Sequence, residues 1–308
     1  MLPLSVIHYS GEDPRHTVGG VQRFARNLER IFREVRYLTP ESPERDAVLA
    51  GRLPVICDNH FVLDWPVERP VIGFQHGVAA VKYQATRSPG HWLLARRQRL
   101  AAARPNTLWV ACAEWVSERF ARLYGNGAAQ VIYYPVDTIR FDGRLANRGS
   151  RLLLHDGRTR NKGSHLFPRL QRAFPDWRFE PLGCPPENVP DRMRGAAAFL
   201  HLSRYEGNSL VCNEAMAMDL PCLFSRVGLL QDVHAPEEVR SFDPALLRGR
   251  PAGLETEIAA FLASLAAHEY HPRPWVLAHA TLEIAERGWL WVMREFQARS
   301  GWDLGLGS

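Results

Sequence analysis

The sequence lacks the features that mark several classes of protein. None of its apolar stretches approaches the roughly 18 uninterrupted residues expected of a membrane-spanning helix. Its five cysteines lack the paired spacing of a metal-binding knuckle, and its 12 histidines show no pattern such as His-Glu-x-x-His. The cysteines are Cys57, Cys112, Cys184, Cys212 and Cys222. We therefore expect reduced, mostly buried thiols and no protein-bound metal.

The sequence is also poor in targeting signals, repeats and low-complexity segments. Residues 1–9 have the pattern of a strand and lack the basic start of a signal peptide. The net charge is a modest +5, carried mainly by arginine. This charge permits anionic partners such as nucleotide phosphates, lipid phosphates or nucleic acid, and it does not choose among them. We expect a cytoplasmic protein.

What the sequence does contain is a regular alternation of apolar strand-like runs and amphipathic helical stretches. This pattern predicts an α/β protein with mostly parallel sheets. The predicted strands are 4–8, 35–38, 55–57, 71–74, 108–112, 130–133, 151–155, 177–182, 197–202 and 222–224. A polar stretch, 142–150, separates the two series like a linker. We expect an N-terminal domain over 1–141 and a C-terminal domain over 151–275.

Helical periodicity is strongest in three segments. Apolar residues recur at three- and four-residue spacing over 21–35, which predicts one helix there. Two further helices are predicted near the end of the chain, over about 254–268 and 275–299. We expect the final segment, 276–308, to pack back toward the N-terminal domain, and its glycine-rich tail to be frayed.

Two glutamates, Glu206 and Glu214, follow the predicted strand 197–202. Ionised carboxylates only accept hydrogen bonds, which suits a site that binds hydroxyl-rich ligands. The carboxyl ends of strands in open α/β sheets are also where ligands bind. The ordinary alternative is that acidic residues near a helix start stabilise the helix dipole.

The full run around these glutamates is more specific than their spacing. Ser-Arg-Tyr-Glu-Gly at 203–207, Asn-Glu-Ala-Met-Ala at 213–217 and Leu-Pro at 220–221 closely resemble the donor-binding segment of retaining glycosyltransferases with the GT-B fold, family 4 or glycosyl transferases group 1. The resemblance is strongest over 152–224. It implies two Rossmann-like domains facing across a cleft, with acceptors on the N-terminal side and the nucleotide sugar on the C-terminal side.

The resemblance also implies roles for single residues in the second domain. Glu206 would bind the transferred sugar and Glu214 the ribose hydroxyls. The donor-binding residues Asn208, Ser209 and Leu210 open a helix whose amides would hold the diphosphate. Aspartate at position 219, where the family commonly has glycine, and asparagine at 208 could alter donor choice.

A basic loop, Gly-Arg-Thr-Arg-Asn-Lys-Gly at 157–163, follows the predicted strand 151–155. It resembles the family's Gly-Arg and Lys-Gly elements, which implies that Arg158 and Lys162 supply cations to the leaving diphosphate. Without a metal, that growing negative charge must be compensated by arginine, lysine and helix amides. The spacing is one residue shorter than the commonest one, so Arg160 could share the role. The alternative is an exposed basic loop.

Two further sites fall in the N-terminal half. His76 ends a predicted strand where the family places a histidine facing the donor sugar, which implies a catalytic role; otherwise it is a structural histidine. Gly19 and Gly20 precede the first helix where the family has a glycine loop near the donor phosphates. Glycines there let a ligand approach the backbone, although Gly-Gly before a helix is also ordinary.

The segment 91–100 is basic with interleaved apolar residues, including Arg96, Arg97 and Arg99. A solvated helix face is the commonest explanation for such a segment. The sharper hypothesis is contact with an anionic membrane surface or a lipid-diphosphate acceptor. We therefore expect either no membrane contact or a peripheral one on the inner face of the membrane.

The leading hypothesis is a retaining, metal-independent glycosyltransferase of the hexosyltransferase type. It would move a sugar from a nucleotide-diphosphate donor, used as a co-substrate without further cofactor, to a hydroxyl of a glycan or lipid-linked acceptor in bacterial cell-surface polysaccharide or lipopolysaccharide assembly. One alternative is a nucleotide-sugar epimerase of the same fold. Another is a non-enzymatic anion-binding protein, although the sequence shows no nucleic-acid motif with stacking aromatics.

Overall fold

The computed structural model describes residues 1–17, 19–49, 51–143, 149–248 and 252–306. Strands and helices alternate along these residues. The strands are β1 (Leu2–Tyr9), β2 (Phe32–Leu38), β3 (Val55–Asp58), β4 (Val71–Gln75), β5 (Thr107–Ala111), β6 (Gln130–Val131), β7 (Leu152–His155), β8 (Arg178–Pro181), β9 (Ala198–His201), β10 (Cys222–Ser225) and β11 (Arg240–Phe242). The helices are α1 (Gly20–Asn27), α2 (Arg45–Leu49), α3 (Ala79–Thr86), α4 (Pro89–Ala102), α5 (Glu114–Tyr124), α6 (Phe167–Ala173), α7 (Val189–Arg194), α8 (Leu210–Ala217), α9 (Ala252–Ser264), α10 (Arg273–His279) and α11 (Leu282–Ser300).

The chain divides into two compact units. The first comprises Met1–Pro135 and Leu282–Ser308, and the second comprises Val136–Thr281. The sheet of the first unit has the order β2-β1-β3-β4-β5-β6, and that of the second has the order β11-β10-β9-β7-β8. Every strand pairing in both sheets is parallel. The predicted α/β architecture with parallel sheets is confirmed.

The apolar runs form central strands because helices cover both faces of a parallel sheet. Strands β3, β4, β7, β9 and β10 are buried along their whole length. Such strands are continuous apolar runs without the alternation of a half-exposed sheet.

Aromatic packing fills the core of the first unit beside its sheet. The rings of Phe24 in α1 and Phe74 in β4 stack with centroids 4.2 Å apart. Trp289 in α11 is fully buried, and its ring lies 5.7 Å from Phe32 and 5.9 Å from Phe74. Helix α11 therefore packs into the core of the first unit.

The second unit has a separate aliphatic core. Buried side chains of β7, β9 and β10, including Leu153, Leu200 and Leu223, pack with Ile258 and Phe261 of α9. This core fixes the carboxyl ends of the three strands relative to one another.

The predicted helix over 21–35 is wrong in its second half. Helix α1 ends at Asn27, a short 3-10 turn covers Leu28–Arg30, and the chain then enters β2 at Phe32. The apolar residues after position 30 also fit a strand, and pairing with β1 in the register Val6↔Val35 decides for the strand.

The long C-terminal helix predicted over 275–299 is also interrupted. Helix α10 ends at His279, because the carbonyl of Ala280 accepts a hydrogen bond from the Val136 amide at 2.9 Å and Thr281 forms a bridge with Val136. The short edge strand β11 was not predicted, since Arg240 and Ser241 are only half-buried and interrupt the apolar pattern. Among the described residues, no helix combines the length and apolar character needed to cross a bilayer.

Candidate functional site

The site lies at the carboxyl ends of two neighbouring strands in the second unit. Strands β7 and β9 pair in the register Leu154↔Phe199 and His155↔Leu200. One step further along, Asp156 directly follows β7 and His201 is the last residue of β9. Parallel strands therefore bring these two side chains to the same edge of the sheet.

Asp156 is buried and each of its carboxylate oxygens has a cationic or donor neighbour. His201 Nδ1 lies 2.8 Å from Oδ1, and Lys162 Nζ donates to Oδ2 at 2.7 Å. His201 is buried as well. Lys162 comes from the short 3-10 turn Arg160–Lys162, which lies within the basic loop 157–163. The carboxylate thus ties the loop after β7 to the end of β9.

Lys162 continues this network to Glu206. Its Nζ lies 3.1 Å from Glu206 Oε1, and the same oxygen accepts a hydrogen bond from Ser203 Oγ at 3.0 Å. The side chains of Lys162 and Glu206 are 30% and 16% exposed. The network therefore begins on a buried aspartate and ends on two charges that a ligand can reach.

The charges of the network determine its pKa shifts. Burial alone would raise the pKa of Asp156, but the neighbouring His201 and Lys162 hold it well below its ordinary value. Burial alone would lower the pKa of Lys162, yet Glu206 and Asp156 raise it well above its usual range. Asp156 likewise raises the pKa of the buried His201 well above its ordinary value. Asp156 is therefore ionised and Lys162 protonated near neutral pH.

Close backbone packing holds the two loops in place. Gly163 has φ +74°, and a Cβ there would lie 2.9 Å from the Leu202 carbonyl oxygen. Gly228, with φ +64°, would place a Cβ 3.1 Å from the Cβ of Glu206. Both positions therefore need glycine. The buried Ser225 also accepts from the Ser203 amide at 3.1 Å, which fixes the loop after β9.

The same residues include a group with the spacing of a cation site. One ligand atom each from Asp156, His201 and Glu206 lie within 4.8 Å of one another. Lys162 Nζ, however, lies 2.7 Å from Asp156 and 3.1 Å from Glu206. Its ammonium already provides the positive charge that these carboxylates require.

Arg158 has a different environment from Lys162. Its side chain is exposed, and its Nη2 donates to the Leu182 carbonyl at 3.2 Å. Among the described residues, Lys162 rather than Arg158 contacts Glu206. Arg160 is also exposed. The structure thus separates the two predicted cations into one that is fixed against Glu206 and one at the surface of the loop.

The remaining predicted donor-binding residues of this unit belong to α8 and its start. Asn208 and Ser209 precede the helix, Leu210 begins it, and all three are buried. Glu214 lies in the middle of the helix and is also buried. They share the second unit with Glu206, and their role in donor binding stays a prediction.

Asp219 has a structural explanation. It adopts φ +54°, a conformation that favours glycine, and its carboxylate accepts from the Arg273 amide at 3.1 Å and lies 3.0 Å from His271. The carboxylate therefore binds the first turn of α10, where negative charge is favourable. These contacts account for an aspartate at this position.

His76 lies in the first unit, where it is buried. Its Nε2 lies 2.7 Å from Asp58 Oδ1, and its Nδ1 hydrogen-bonds the Tyr134 hydroxyl. His8 Nε2 lies 3.1 Å from the same Asp58 oxygen. Both ring nitrogens of His76 are therefore engaged within this unit. Its predicted contact with a sugar stays a prediction.

Gly19 and Gly20 also lie in the first unit, at the start of α1. Gly19 is the N-cap, and a Cβ there would lie 2.3 Å from Gln22 Oε1, whereas a Cβ at Gly20 would meet no atom within 4 Å. Only Gly19 is thus packed against a neighbour. Their role near a donor phosphate is not tested by this arrangement.

Sequence reasoning missed Asp156 and His201. Asp156 directly follows the predicted strand 151–155, and His201 is the next-to-last residue of the predicted strand 197–202; these positions were the available signal. Their contact depends on the pairing of β7 with β9, whereas β8 lies between these strands in the sequence. That adjacency is set by the fold of the whole sheet.

Comparison with known proteins gives structural matches only. No protein-family model matches the chain, and no curated protein sequence matches it. Among solved structures, it is similar to sucrose-phosphate synthase (tll1590) from Thermosynechococcus elongatus, with a TM-score of 0.71 and 17% identity over 96% of this chain and 100% of that chain.

Two further solved structures resemble the chain at similar coverage. Anabaena Alr3699/HepE in complex with UDP-glucose has a TM-score of 0.68 at 13% identity, over 95% of this chain and 100% of that chain. The lipopolysaccharide outer core galactosyltransferase WaaB has a TM-score of 0.61 at 10% identity, over 95% and 99%. The chain therefore has the GT-B fold of these glycosyltransferases, as predicted.

Proposed function

We propose that this chain is a glycosyltransferase that transfers a sugar from a nucleoside-diphosphate donor to an acceptor hydroxyl. The observation that carries the proposal is the contact of Lys162 with Glu206 at the carboxyl edge of the second sheet. It joins a cation suited to a phosphate and a carboxylate suited to sugar hydroxyls. The UDP-glucose in the structurally similar HepE supports a donor of this chemical class.

We further propose retention of configuration through attack on the same face of the sugar. The bond from the anomeric carbon to the diphosphate breaks, a bond to the acceptor oxygen forms, and the departing phosphate takes the acceptor's proton. Lys162 and Arg158 stabilise the phosphate as its charge grows. Glu206 accepts hydrogen bonds from sugar hydroxyls. A covalent route would instead need a carboxylate placed against the anomeric carbon.

The proposal includes catalysis without a divalent metal. The support is the Lys162 ammonium, which lies between the carboxylates of Asp156 and Glu206. Transfer is expected to be unchanged in EDTA and on addition of Mg²⁺ or Mn²⁺. A tenfold or larger loss on chelation, restored by a divalent ion, would contradict this part of the proposal.

The donor is found with a thermal-shift panel of UDP-, GDP-, ADP- and TDP-sugars. We expect one nucleotide class to raise the melting temperature, because a ligand that binds only the folded chain stabilises it.

Glu206→Ala should impair transfer, whereas Glu214→Ala should chiefly weaken donor binding. Glu187→Ala, which removes an exposed glutamate of the same unit, is the matched control.

Three outcomes of the thermal-shift and transfer experiments would count against the proposal. One is the absence of stabilisation by any nucleotide sugar. Another is wild-type transfer by both glutamate variants. The third is conversion of the donor sugar without any acceptor, which would indicate an epimerase.

We also propose that the acceptor is lipid-linked and that α4 contacts an anionic membrane surface. No aspartate or glutamate occurs between Glu68 and Glu114. Arg96, Arg97 and Arg99 are exposed on α4, and Trp92, Leu93 and Leu100 on the same helix are 48%, 54% and 64% exposed. Cations beside exposed apolar side chains suit the interface of an anionic bilayer. Such a surface fits an acceptor of bacterial polysaccharide or lipopolysaccharide assembly.

Vesicle binding tests this surface. At low salt, the wild-type chain should bind vesicles of phosphatidylglycerol more strongly than vesicles of phosphatidylcholine. Changing Arg96, Arg97 and Arg99 to glutamine should weaken the binding at least tenfold, since each cation near the surface contributes about 1 kcal/mol. The control replaces the exposed Arg33, Arg119 and Arg122 with glutamine and removes the same charge elsewhere. Equal effects of both triple variants would refute a specific role for α4.

A further inference from the structure

We propose that Asp156 and His201 are positioning residues that hold the Lys162 ammonium against Glu206. The inference rests on the proposed function, because it assigns these two residues an indirect part in handling the donor. Both are buried, so neither is expected to touch the donor. They act through Lys162, whose Nζ lies 2.7 Å from Asp156 and 3.1 Å from Glu206.

Asp156 restrains the flexible side chain of Lys162. A lysine side chain has a flexible four-carbon stem, and its ammonium is a point charge without a preferred direction of approach. Asp156 is fixed by its place directly after β7, and its Oδ2 holds Nζ at one position. Without this contact, Glu206 is the one remaining ion-pair partner of the Lys162 ammonium among the described residues, and Glu206 must also accept sugar hydroxyls.

His201 shares the Asp156 carboxylate with Lys162. His201 Nδ1 occupies the other oxygen of Asp156 at 2.8 Å, so Lys162 does not neutralise that carboxylate alone. His201 Nε2 lies 3.6 Å from Glu206 Oε1 and has no hydrogen-bond partner among the described residues. The imidazole thus lies between the two carboxylates.

Lysine is rare in this chain. The chain has 38 lysine and arginine residues, yet only Lys82 and Lys162 are lysines. A compact ammonium fits between two carboxylates, whereas a guanidinium presents a planar fork of donors. The use of lysine at this one position of the second unit matches the point-like contact that the geometry requires.

One test observes the ammonium directly and needs no ligand. Selective ¹⁵N-lysine labelling gives one side-chain signal for Lys162 and one for Lys82, which serves as an internal control. Asp156→Asn should shift the Lys162 Nζ resonance and leave that of Lys82 unchanged. Asp219→Asn, a matched loss of a structural carboxylate in the same unit, should leave the Lys162 signal unchanged. An unchanged Lys162 signal in folded Asp156→Asn would overturn the proposal.

The second test is a double-mutant cycle on donor affinity, measured with the nucleotide sugar selected by the thermal-shift panel. Asp156→Asn should weaken binding at least tenfold in the wild-type background, since misplacement of a binding group by about 1 Å can cost that much. In the Lys162→Met background it should change affinity less than twofold. Equal factors in both backgrounds would mean that Asp156 is only structural.

His201 provides a separate route if Asp156→Asn fails to fold. The amide of His201→Asn can still donate to Asp156, whereas His201→Leu cannot. We expect the asparagine variant to keep the Lys162 signal and donor affinity closer to wild type than the leucine variant does. Equal loss in both variants would overturn the assignment. If no nucleotide sugar binds the wild type, the proposed function fails, and the NMR comparison still decides whether Asp156 and His201 hold Lys162.

Discussion

Each unit contains a buried aspartate that pairs with histidine at a strand end, but the two networks end in different surroundings. In the first unit, Asp58 on the central strand β3 holds His8 and His76, and His76 continues to the buried Tyr134 hydroxyl. In the second unit, Asp156 holds His201 and Lys162, and Lys162 continues to Glu206. The named residues of the first network are all buried, whereas the second network includes the partly exposed Lys162 and Glu206.

The difference shows how similar groups can serve stability in one place and binding in another. Burial alone would raise the pKa of Asp58, but His8 and His76 hold it well below its ordinary value, as His201 and Lys162 do for Asp156. Both carboxylates are therefore ionised at neutral pH. Among the described residues, the second network includes partly exposed charges and the first consists of buried groups, so a substitution in the second should alter function more.

The largest expected effect is on transfer in Lys162→Met. Removing the cation that compensates the leaving phosphate should lower kcat/KM by at least about 100-fold, which is the usual scale for losing one such electrostatic contact. The matched control is Lys82→Met, the other lysine of the chain, which should change kcat/KM less than twofold. Activity within threefold of wild type in Lys162→Met would show that the network of Asp156 and Lys162 has no special part in transfer.

The next largest effect is on stability in Asp58→Asn. Loss of the charge between two buried histidines should lower the free energy of unfolding by about 3 kcal/mol, measured by urea denaturation. Donor affinity of the folded variant should stay within about twofold of wild type, because Asp58, His8 and His76 are buried. A larger loss of affinity than of stability would show that the first network also serves the ligand.

The pH dependence of stability provides a test at His155 of the second unit. The buried His155 has its pKa lowered by burial to about 4, and its Nδ1 accepts a hydrogen bond from the Gly157 amide at 3.1 Å. In the unfolded chain its pKa returns to about 6.5, so the unfolded state binds an extra proton as pH falls from 6.5 toward 4. The His155 contribution to stability is therefore complete above pH 6.5 and is lost through that window.

The measurement compares wild type with His155→Gln, which cannot titrate. Between pH 7 and pH 4, the wild type should lose on the order of 2 kcal/mol more unfolding free energy than the variant. Parallel curves for the two proteins would show that His155 is not held neutral.

The smallest expected effect is in Tyr134→Phe. Loss of its hydrogen bond to the buried His76 should cost about 1 kcal/mol in the free energy of unfolding. If His76 is structural, kcat/KM should change less than twofold. A loss of transfer beyond about tenfold, at similar stability, would instead support the predicted catalytic role of His76.

Sequence patterns located most of the fold because the sheets are built from continuous apolar runs. The central strands, such as β4 and β9, were predicted within one or two residues, since burial on both faces demands such runs. The boundary between α1 and β2 was not predictable, because Ile31, Phe32 and Val35 fit both helical and strand periodicity. Pairing of β2 with β1 decides that boundary, and a local sequence pattern does not show which strands pair.

The site was predictable only in part for the same reason. Glu206 and Lys162 were identified through family resemblance, which indicates their chemistry but not their contact. Asp156 and His201 belong to strands that are adjacent in space and separated by β8 in the sequence. Their pairing follows from strand order, which no single motif contains.

The second unit is inserted between the two chain segments that form the first unit. The bridge between Val136 and Thr281 joins the first and last residues of this insertion. Its chain is continuous, and its two ends lie side by side, as in a module placed within a host domain. Residues 136–281 therefore form a natural segment to exchange between proteins of this fold. Such an exchange would cut the chain at one place in space while leaving both sheets whole.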